Sequence, residues 1–180
     1  MNQMRIGGNM EKRDLVDKNR RTIGETTTEE SNIAEGKYVQ IVIMCIENHK
    51  KEFLIQKRAQ KKNGKWALTG GHVISGENSV QAILREVQEE LGLTLQEKEV
   101  ELVFSKRAYD CFVDLYYTKK EVELENLQLE KKEVESVKWM NLEEIKHLKE
   151  NDAFLECHYD CLQECIYFLE KIKEEEKKNV

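Results

Sequence analysis

The order of apolar and polar residues predicts a chain in which strands alternate with helices. The longest apolar run, Ile41–Ile46, is rich in β-branched residues and predicts a buried central strand within residues 38–46. Shorter runs of strand-like composition follow turns or polar connectors. The other predicted strands cover residues 52–57, 66–69, 100–109, 112–118 and 135–140, and two short strands flank a turn at Asp17–Asn19.

Helical spacing is clearest between Ser79 and Leu91, where apolar residues recur at intervals of three and four. Asn78 or Ser79 is suited to cap the start of this helix, and Gly92 is suited to end it in a left-handed conformation. Two further helices are predicted, over residues 142–148 and 153–173. Strands and helices in this order predict the α/β fold class, with a mixed sheet packed between helices.

Three glutamates share one face of the first predicted helix. Glu86, Glu89 and Glu90 occupy positions i, i+3 and i+4, so their carboxylates lie side by side and repel one another. A divalent cation removes that repulsion, and clustered carboxylate oxygens suit Mg²⁺, with Mn²⁺ as a substitute. In a chain with 36% charged residues, the alternative is a solvated helix face without a ligand.

The residues around these glutamates form a longer motif. The stretch Gly71–Leu93 reads GHVISGENSVQAILREVQEELGL and fills every fixed position of G-x5-E-x7-R-E-U-x-E-E-x-G-U, where U is aliphatic. This motif resembles the Nudix box, the signature of hydrolases that act on nucleoside diphosphates linked to another moiety. The resemblance implies a Mg²⁺-dependent attack of water on phosphorus, with cleavage of a diphosphate linkage.

The resemblance also implies a domain organisation. Residues 36–180 are expected to form the Nudix hydrolase domain, an α/β/α sandwich with a mixed β-sheet that includes a C-terminal helix. Residues 1–35 are expected to form an N-terminal extension with a short β-hairpin, in which residues 1–9 are disordered. This extension is similar to that of a branch related to isopentenyl-diphosphate isomerases.

Roles inside the motif follow from the resemblance. Glu86, Glu89 and Glu90 are the expected metal ligands, and Glu86 is also a candidate general base. Arg85 matches an arginine that orients the glutamates of the box in the family, and Glu77 or Glu89 is its expected partner.

A second candidate for the base lies outside the motif. Nudix enzymes also recruit this residue from another loop, and Glu133, with Glu135 behind it, is the best candidate here. The alternative is that Glu133 simply begins a strand on the surface.

Residues before the helix are expected to bind the substrate. Gly70 and Gly71 follow a predicted strand, and glycines permit the positive φ and the close backbone approach that suit a loop beside a diphosphate. His72 and Glu77 are further candidates in this loop, although most such histidines are ordinary loop residues. Arg58 ends an earlier strand and is a candidate phosphate ligand, because a guanidinium binds phosphate through two hydrogen bonds.

Composition and charge restrict the class of protein. A chain of 180 residues suits one domain, and it contains no apolar run long enough to span a membrane and no secretory signal. Five cysteines in such a chain suit the reducing cytoplasm. The net charge of −6 argues against non-specific nucleic-acid binding. The resemblance to the Nudix box implies a small nucleoside diphosphate-type substrate as the partner. Nudix relatives are often dimers, which makes a homodimer an open alternative.

Two other functions are compatible with the motif. An isopentenyl-diphosphate isomerase shares the fold, but it needs a cysteine around Thr69–Gly70 and histidine ligands near Tyr38–Val39, and this chain has neither. A non-catalytic nucleotide-binding sensor would usually have lost glutamates of the box, and none is missing here.

A cysteine-rich segment raises the separate possibility of a zinc site. Cys157, Cys161 and Cys165 follow one helical stripe at i, i+4 and i+8, with His158 beside them. A zinc knuckle instead uses paired cysteines two to four residues apart. Because cysteine also behaves as a small buried apolar residue, we expect core packing or a helix interface here.

Overall fold

The computed structural model describes residues 11–28 and 33–178, and the tail expected to be disordered at residues 1–9 lies outside them. The described residues form nine strands and three α-helices. In chain order these are β1 (Arg13–Val16), β2 (Thr22–Thr27), β3 (Val39–Glu47), β4 (Phe53–Arg58), β5 (Trp66–Ala67), β6 (Thr69–His72), α1 (Ser79–Leu91), β7 (Glu101–Arg107), β8 (Cys111–Lys119), β9 (Val134–Met140), α2 (Leu142–Glu150) and α3 (Glu156–Lys178).

Strand β3 is the centre of the main sheet. It pairs in parallel with β8, from Val39 opposite Cys111 to Glu47 opposite Lys119, and it pairs antiparallel with β6. Strand β7 continues the sheet beyond β8, whereas β4 meets β3 where Glu47 faces Phe53 and carries β5 and β9. Parallel and antiparallel pairs occur together, so the predicted mixed sheet is confirmed.

Alternate residues of β3 face opposite helical layers, because successive side chains of a strand point to opposite faces. Val42, Met44 and Ile46 pack with the apolar side of α1, while Ile43 and Cys45 pack with α2 and α3. The buried residues of α1 are Ala82, Ile83, Val87 and Leu91. Helices therefore cover both faces of the sheet, and the predicted α/β/α sandwich is confirmed.

Helix α1 begins and ends where the sequence predicts. The side chain of Asn78 accepts a hydrogen bond from the Gln81 amide at 2.9 Å, and the Gln81 side chain accepts one from the Asn78 amide at 3.0 Å. At the other end Gly92 adopts a φ of 68°, and its amide donates to the carbonyl of Gln88 at 2.9 Å. Both ends of the helix are thus fixed by local hydrogen bonds.

The segment that carries Gly70 and Gly71 is a strand, which corrects the expectation of a loop. It belongs to β6, where Gly70 lies opposite Ile43 and Gly71 lies opposite Val42. Neither glycine adopts a positive φ. A β-carbon at Gly70 would instead stand 2.3 Å from the carbonyl oxygen of Val42, so close approach of two backbones is what requires glycine here.

Strands β1 and β2 form the predicted N-terminal hairpin, which several contacts attach to the domain. Val16 and Tyr38 exchange backbone hydrogen bonds of 2.9 Å just before β3 begins. In the turn of the hairpin, Arg20 binds both carboxylate oxygens of Asp114 on β8, at 2.7 and 2.6 Å. Asp114 also accepts a hydrogen bond of 2.5 Å from Ser79, the first residue of α1, so the hairpin is connected to that helix.

Helix α3 covers the second face of the sheet. Its Cys161 and Cys165 are buried in the same apolar cluster as Cys45, so they pack in the core, as their spacing favours. His158 faces β6 instead, with its Nδ1 atom 3.1 Å from the carbonyl oxygen of Leu68. Among the helices of the described residues, none is long and apolar enough to cross a membrane.

Candidate active site

A cavity of about 540 Å³ is bounded by β3, β4, β6, α1, α3 and the segment before β9, and also by N-terminal residues of the hairpin. Its volume lies in the range of small-molecule sites. The lining carboxylates are Glu11, Glu86, Glu89, Glu90, Glu130 and Glu133, and the lining cations are Arg13, Arg58, Lys62 and Arg85. Every site residue predicted from the sequence lines this cavity except Glu77.

Arg85 joins the carboxylates of the motif to each other. Its Nη1 atom donates to Glu86 Oε1 and to Glu89 Oε2, both at 2.9 Å. Its Nε and Nη2 atoms donate to the two oxygens of Glu77 at 2.7 and 3.1 Å, and Nη2 also donates to the carbonyl oxygen of His72 at 2.9 Å. Burial alone would lower the pKa of Arg85, but the hydrogen bond to Glu77 and the neighbouring carboxylate charges raise it above its usual value. Arg85 is therefore a permanently charged positioning residue.

Glu77 lies behind Arg85 and away from the cavity, which corrects its prediction as a substrate-binding residue. One of its oxygens also accepts a hydrogen bond of 3.1 Å from the amide of Ile74, so the turn before α1 fixes it. Its carboxylate faces the guanidinium and is 16% exposed as a side chain. The physical role of Glu77 is to hold Arg85, and both predicted partners of that arginine are in contact with it.

Glu86 lies directly against the backbone of β6. A β-carbon at Gly71 would stand 2.3 Å from Glu86 Oε1, so the absence of a side chain at position 71 makes room for this carboxylate. Burial raises the pKa of Glu86, although the charge of Arg85 opposes the rise. The glycine of the motif therefore leaves the space that Glu86, the first of the three glutamates on α1, occupies.

Glu90 is held by a hydrogen-bonded chain from the sheet. Gln56 of β4 donates to Glu90 Oε2 at 2.9 Å and accepts from the hydroxyl of Thr69 at 2.9 Å. Burial raises the pKa of Glu90 to about 7, against the opposing effect of the Gln56 hydrogen bond. Gln56 was not predicted as a site residue; it directly follows the apolar run Phe53–Ile55 and is buried, as a polar side chain with hydrogen-bond partners can be.

The donor set fits a hard divalent cation. Glu86 and Glu90 are half-buried carboxylates whose charged forms are disfavoured by this partial loss of solvent, and a cation offsets that cost. Within residues 11–28 and 33–178, no three His, Cys, Asp or Glu side chains form a ready-made metal cluster. Arg85 binds an oxygen of both Glu86 and Glu89, and its single charge offsets only part of theirs. Mg²⁺ needs few protein ligands because it keeps several waters, so an incomplete set of carboxylates suits it.

The order of these residues along α1 and β6 matches a known family. The family model described as NUDIX domain matches residues 37–159, more than half of the chain. The chain belongs to the Nudix family.

One related sequence and two solved structures are similar to this chain over most of its length. An uncharacterised Nudix hydrolase of Listeria monocytogenes is 35% identical over 150 residues, which are 81% of this chain and 89% of that protein. The solved structure of DR0079 from Deinococcus radiodurans has a TM-score of 0.68 at 20% identity, covering 85% of this chain and 98% of the other. A bifunctional NMN adenylyltransferase/ADP ribose pyrophosphatase of Francisella tularensis, solved with AMP and a Mn ion, has a TM-score of 0.56 at 22% identity. The matched region is 74% of this chain and 41% of that larger protein.

The predicted family and enzyme class are thus confirmed, and the protein is a Nudix pyrophosphohydrolase. The structural neighbours below 25% identity support the fold. The isomerase-like branch and the alternative of a sensor stay predictions.

Glu133 reaches the cavity of this Nudix domain from the start of β9, opposite the box. Lys62 lies 3.0 Å from its Oε2 atom. Glu135, the second acid of this segment, does not line the cavity, because it points to the surface and binds Lys57 at 2.7 Å. Of the two acids, Glu133 is the one in a position to act on a ligand.

Arg58 and His72 line the cavity on the side of the sheet, and their binding of substrate stays a prediction. His158 of α3 lines it as well, and burial with the nearby charge of Arg58 lowers its pKa to about 4. Glu130 and His158 were not predicted as parts of this site. Glu130 lies in a charged connector without a distinguishing pattern, and its position depends on a backbone hydrogen bond to Glu90 that no local motif reveals.

Proposed function

We propose that this Nudix hydrolase cleaves the diphosphate linkage of a nucleoside diphosphate derivative, with Mg²⁺ held by Glu86, Glu89 and Glu90. The single observation that supports this most is the acidic face of α1, which borders a cavity that also carries arginines. A nucleotide diphosphate brings several negative charges, so it needs both a metal and cationic side chains.

The metal would contribute positive charge at the phosphoryl oxygens and an activated water. Mn²⁺ is the expected substitute, because it also prefers carboxylate oxygens. The protein contributes rigidity. Arg85 and Glu77 fix Glu86 and Glu89, Gly71 leaves room for Glu86, and Gln56 orients Glu90.

The remaining residues of the cavity bind substrate and move a proton. Arg58 is suited to bind a phosphate oxygen through its guanidinium. Glu133 is the proposed general base, because it lies in the cavity and is held by one cation, Lys62. Glu86 remains the alternative base, but its contact with Arg85 stabilises it as a fixed ligand.

The substrate class is proposed from charge, volume and relatives together. A cavity of about 540 Å³ suits a ligand of nucleotide size. The Francisella neighbour is named as an ADP ribose pyrophosphatase, which makes ADP-ribose a good first compound for this chain. Oligomeric state does not enter this proposal, because all the residues used here come from one chain.

A substrate panel with product identification tests the proposal. The panel contains ADP-ribose, nucleotide sugars, dinucleotides and nucleoside triphosphates, each with and without Mg²⁺. We expect Mg²⁺-dependent release of two phosphate-bearing products from at least one compound. Glu89→Gln and Glu90→Gln should each lower turnover by about 100-fold or more and weaken the response to Mg²⁺, with the fold intact.

The matched control is Glu101→Gln, which changes an exposed glutamate of β7 and should leave turnover unchanged. Tight nucleotide binding without turnover would favour a sensor, and isomerisation of isopentenyl diphosphate would favour an isomerase. If Glu89→Gln and Glu90→Gln both keep the wild-type turnover rate, these glutamates do not hold a catalytic metal ion.

A further inference from the structure

The hydroxyl of Thr69 begins the hydrogen-bonded chain that ends at Glu90. Thr69 lies in β6 opposite Met44 of β3, is 2% exposed and does not line the cavity. Its hydroxyl donates to Gln56 Oε1 at 2.9 Å, and Gln56 Nε2 donates to Glu90 Oε2 at 2.9 Å. A residue outside the cavity and outside the motif is therefore connected to one of the proposed metal ligands.

The direction of this chain follows from what each group can donate. An ionised carboxylate has no proton and only accepts hydrogen bonds, so the nitrogen of the Gln56 amide must face Glu90. The amide oxygen then faces Thr69, and a hydroxyl that meets an oxygen acceptor must donate. Thr69 thereby favours the one orientation of the amide in which its nitrogen points to Glu90.

We propose that Thr69 is a positioning residue of the metal site. Its hydroxyl fixes the amide of Gln56, and the fixed amide holds the carboxylate of Glu90 in the direction from which it binds the metal ion. This role rests on the proposed function, in which Glu90 is a metal ligand. It does not depend on which substrate is hydrolysed.

Glu90 is held in a different way from the other two glutamates of α1. Arg85 donates hydrogen bonds to Glu86 and to Glu89. Among residues 11–28 and 33–178, Gln56 is the only side chain that donates one to Glu90. Hydrogen-bond partners of metal-bound side chains orient these ligands, and their loss typically weakens metal binding by about 10- to 100-fold. The position of Glu90 therefore depends on how firmly Gln56 itself is held.

The sheet fixes the backbone of both Thr69 and Gln56. Gln56 lies in β4 opposite Ala67 of β5 and Val137 of β9, and it is 4% exposed. Threonine is β-branched and has few side-chain rotamers, so its hydroxyl keeps a nearly constant direction. Without that hydroxyl the Gln56 oxygen would lose its donor in a buried position, and the cost of an unpaired buried acceptor would favour other orientations of the amide. The hydroxyl thus restricts Gln56 to the conformation that supports Glu90.

Binding of Mn²⁺ without substrate, followed by electron paramagnetic resonance, tests this role. Thr69→Val removes the hydroxyl at nearly constant volume, whereas Thr69→Ser keeps it. We expect Thr69→Val to weaken Mn²⁺ binding by about 3- to 10-fold, the change in affinity that corresponds to the net contribution of one hydrogen bond. Thr69→Ser should bind Mn²⁺ within about 2-fold of wild type, since a serine hydroxyl is the same kind of donor.

A double-mutant cycle with Gln56 separates positioning from a general structural effect. Gln56→Leu should weaken Mn²⁺ binding by about 10- to 100-fold, because it removes the donor to Glu90. In that background Thr69→Val should cause no further loss of affinity, since the hydroxyl acts on the metal site only through Gln56. Independent losses that multiply would show that Thr69 does not act through Gln56.

Thr118 provides a matched control for the loss of a buried threonine hydroxyl. It lies in β8, is 3% exposed and does not line the cavity, and its hydroxyl donates to the carbonyl oxygen of Glu99 at 2.7 Å. Thr118→Val should lower the unfolding temperature about as much as Thr69→Val does, because each variant loses one buried hydrogen bond. It should leave Mn²⁺ affinity unchanged.

The outcomes distinguish this role from the proposed function. If wild type binds Mn²⁺ and a folded Thr69→Val binds it equally well, the hydroxyl is only structural and the proposed role of Thr69 is wrong. Equal losses of Mn²⁺ affinity in Thr69→Val and Thr69→Ser, or in Thr69→Val and Thr118→Val, would also contradict it. If Thr69→Val does not fold, Thr69→Ala decides in the same way. If wild type binds no Mn²⁺, the proposed metal site fails and the role of Thr69 fails with it.

Discussion

The backbone of Gly71 lies so close to the carboxylate of Glu86 that a β-carbon at position 71 would stand 2.3 Å from Oε1. The adjacent Gly70 meets a different neighbour, because its β-carbon would stand 2.3 Å from the carbonyl oxygen of Val42. One glycine therefore makes room for a side-chain carboxylate and the other for the backbone of a neighbouring strand. This difference separates a functional glycine from a structural one within the same pair.

The two glycines are expected to respond differently to alanine. Gly71→Ala should displace the Glu86 carboxylate and lower kcat/KM by about 100-fold, the usual effect of a displacement near 1 Å, with little change in unfolding temperature. Gly70→Ala pushes against backbone, so it should lower the free energy of unfolding by about 1 to 3 kcal/mol. Steady-state kinetics and chemical denaturation of both variants check this. Equal losses of stability in the two variants would contradict it.

Glu133, just before β9, and Glu135, within β9, provide a matched pair of variants that tests which residue is the general base. Glu133→Gln should lower kcat by about 100-fold or more, because it removes a proton acceptor in the cavity. Glu135→Gln should leave kcat nearly unchanged, since Glu135 is 41% exposed and binds Lys57 at the surface. Mn²⁺ affinity should be unchanged in both variants. A Glu133→Gln variant with wild-type kcat would move the base to Glu86.

His158 should make the stability of the protein sensitive to acid. Its pKa is about 4 in the folded protein, below its usual value of 6.5, because burial and Arg58 disfavour the charged form. The unfolded chain therefore binds a proton first as the pH falls. This group has no effect above pH 6.5, and between pH 6.5 and 4 it lowers the free energy of unfolding by on the order of 2 to 3 kcal/mol.

The variant His158→Gln isolates this contribution. The difference in unfolding free energy between wild type and variant should be constant above pH 6.5. It should then shift in favour of the variant as the pH falls toward 4. Urea denaturation at several pH values measures both curves, and parallel curves over the whole range would exclude a depressed pKa.

The attachment of the hairpin should depend on Asp114. This carboxylate is buried, and although burial raises its pKa, hydrogen bonds from Arg20, Ser105 and Ser79 lower it below the usual value. Asp114→Asn removes the charge opposite Arg20 and should lower the free energy of unfolding by about 2 kcal/mol. Asp152→Asn, which changes an exposed pair with Lys65, should change it by less than about 0.5 kcal/mol. Chemical denaturation of the two variants measures both effects. Similar losses of unfolding free energy in the two variants would show that Asp114 does not anchor the hairpin.

Local features of the fold could be predicted from the sequence because local interactions cause them. The apolar stripe and the capping residues Asn78 and Gly92 define α1, and its predicted bounds agree with the structure. The parallel pairing of β3 with β8 could not be predicted in this way, because a long intervening segment separates the strands. The same limit explains the error at Gly70 and Gly71, whose strand is defined by a partner strand and not by its own residues.

The residues of the candidate site also differ in whether local sequence or long-range contacts determine their position. The motif placed Arg85 and the three glutamates of α1 because they follow one another on a single helix. Arg13 and His158 come from opposite ends of the chain and meet the cavity only through tertiary structure. Gln56 follows the apolar residues Phe53–Ile55 and precedes two cations, so its sequence context did not mark it, and its contact with Glu90 depends on the packing of α1 against the sheet.

The parallel pair of β3 and β8 has a consequence for the synthesis of the protein. A nascent chain that has emerged only as far as Leu93 already contains the whole box, but β3 still lacks the neighbour supplied by residues 111–119. Parallel strands far apart along the chain pair slowly, because the loop between them must first be closed. During translation the edge of β3 that pairs with β8 therefore stays unpaired until β8 has left the ribosome, and we expect aggregation to compete with folding at this edge.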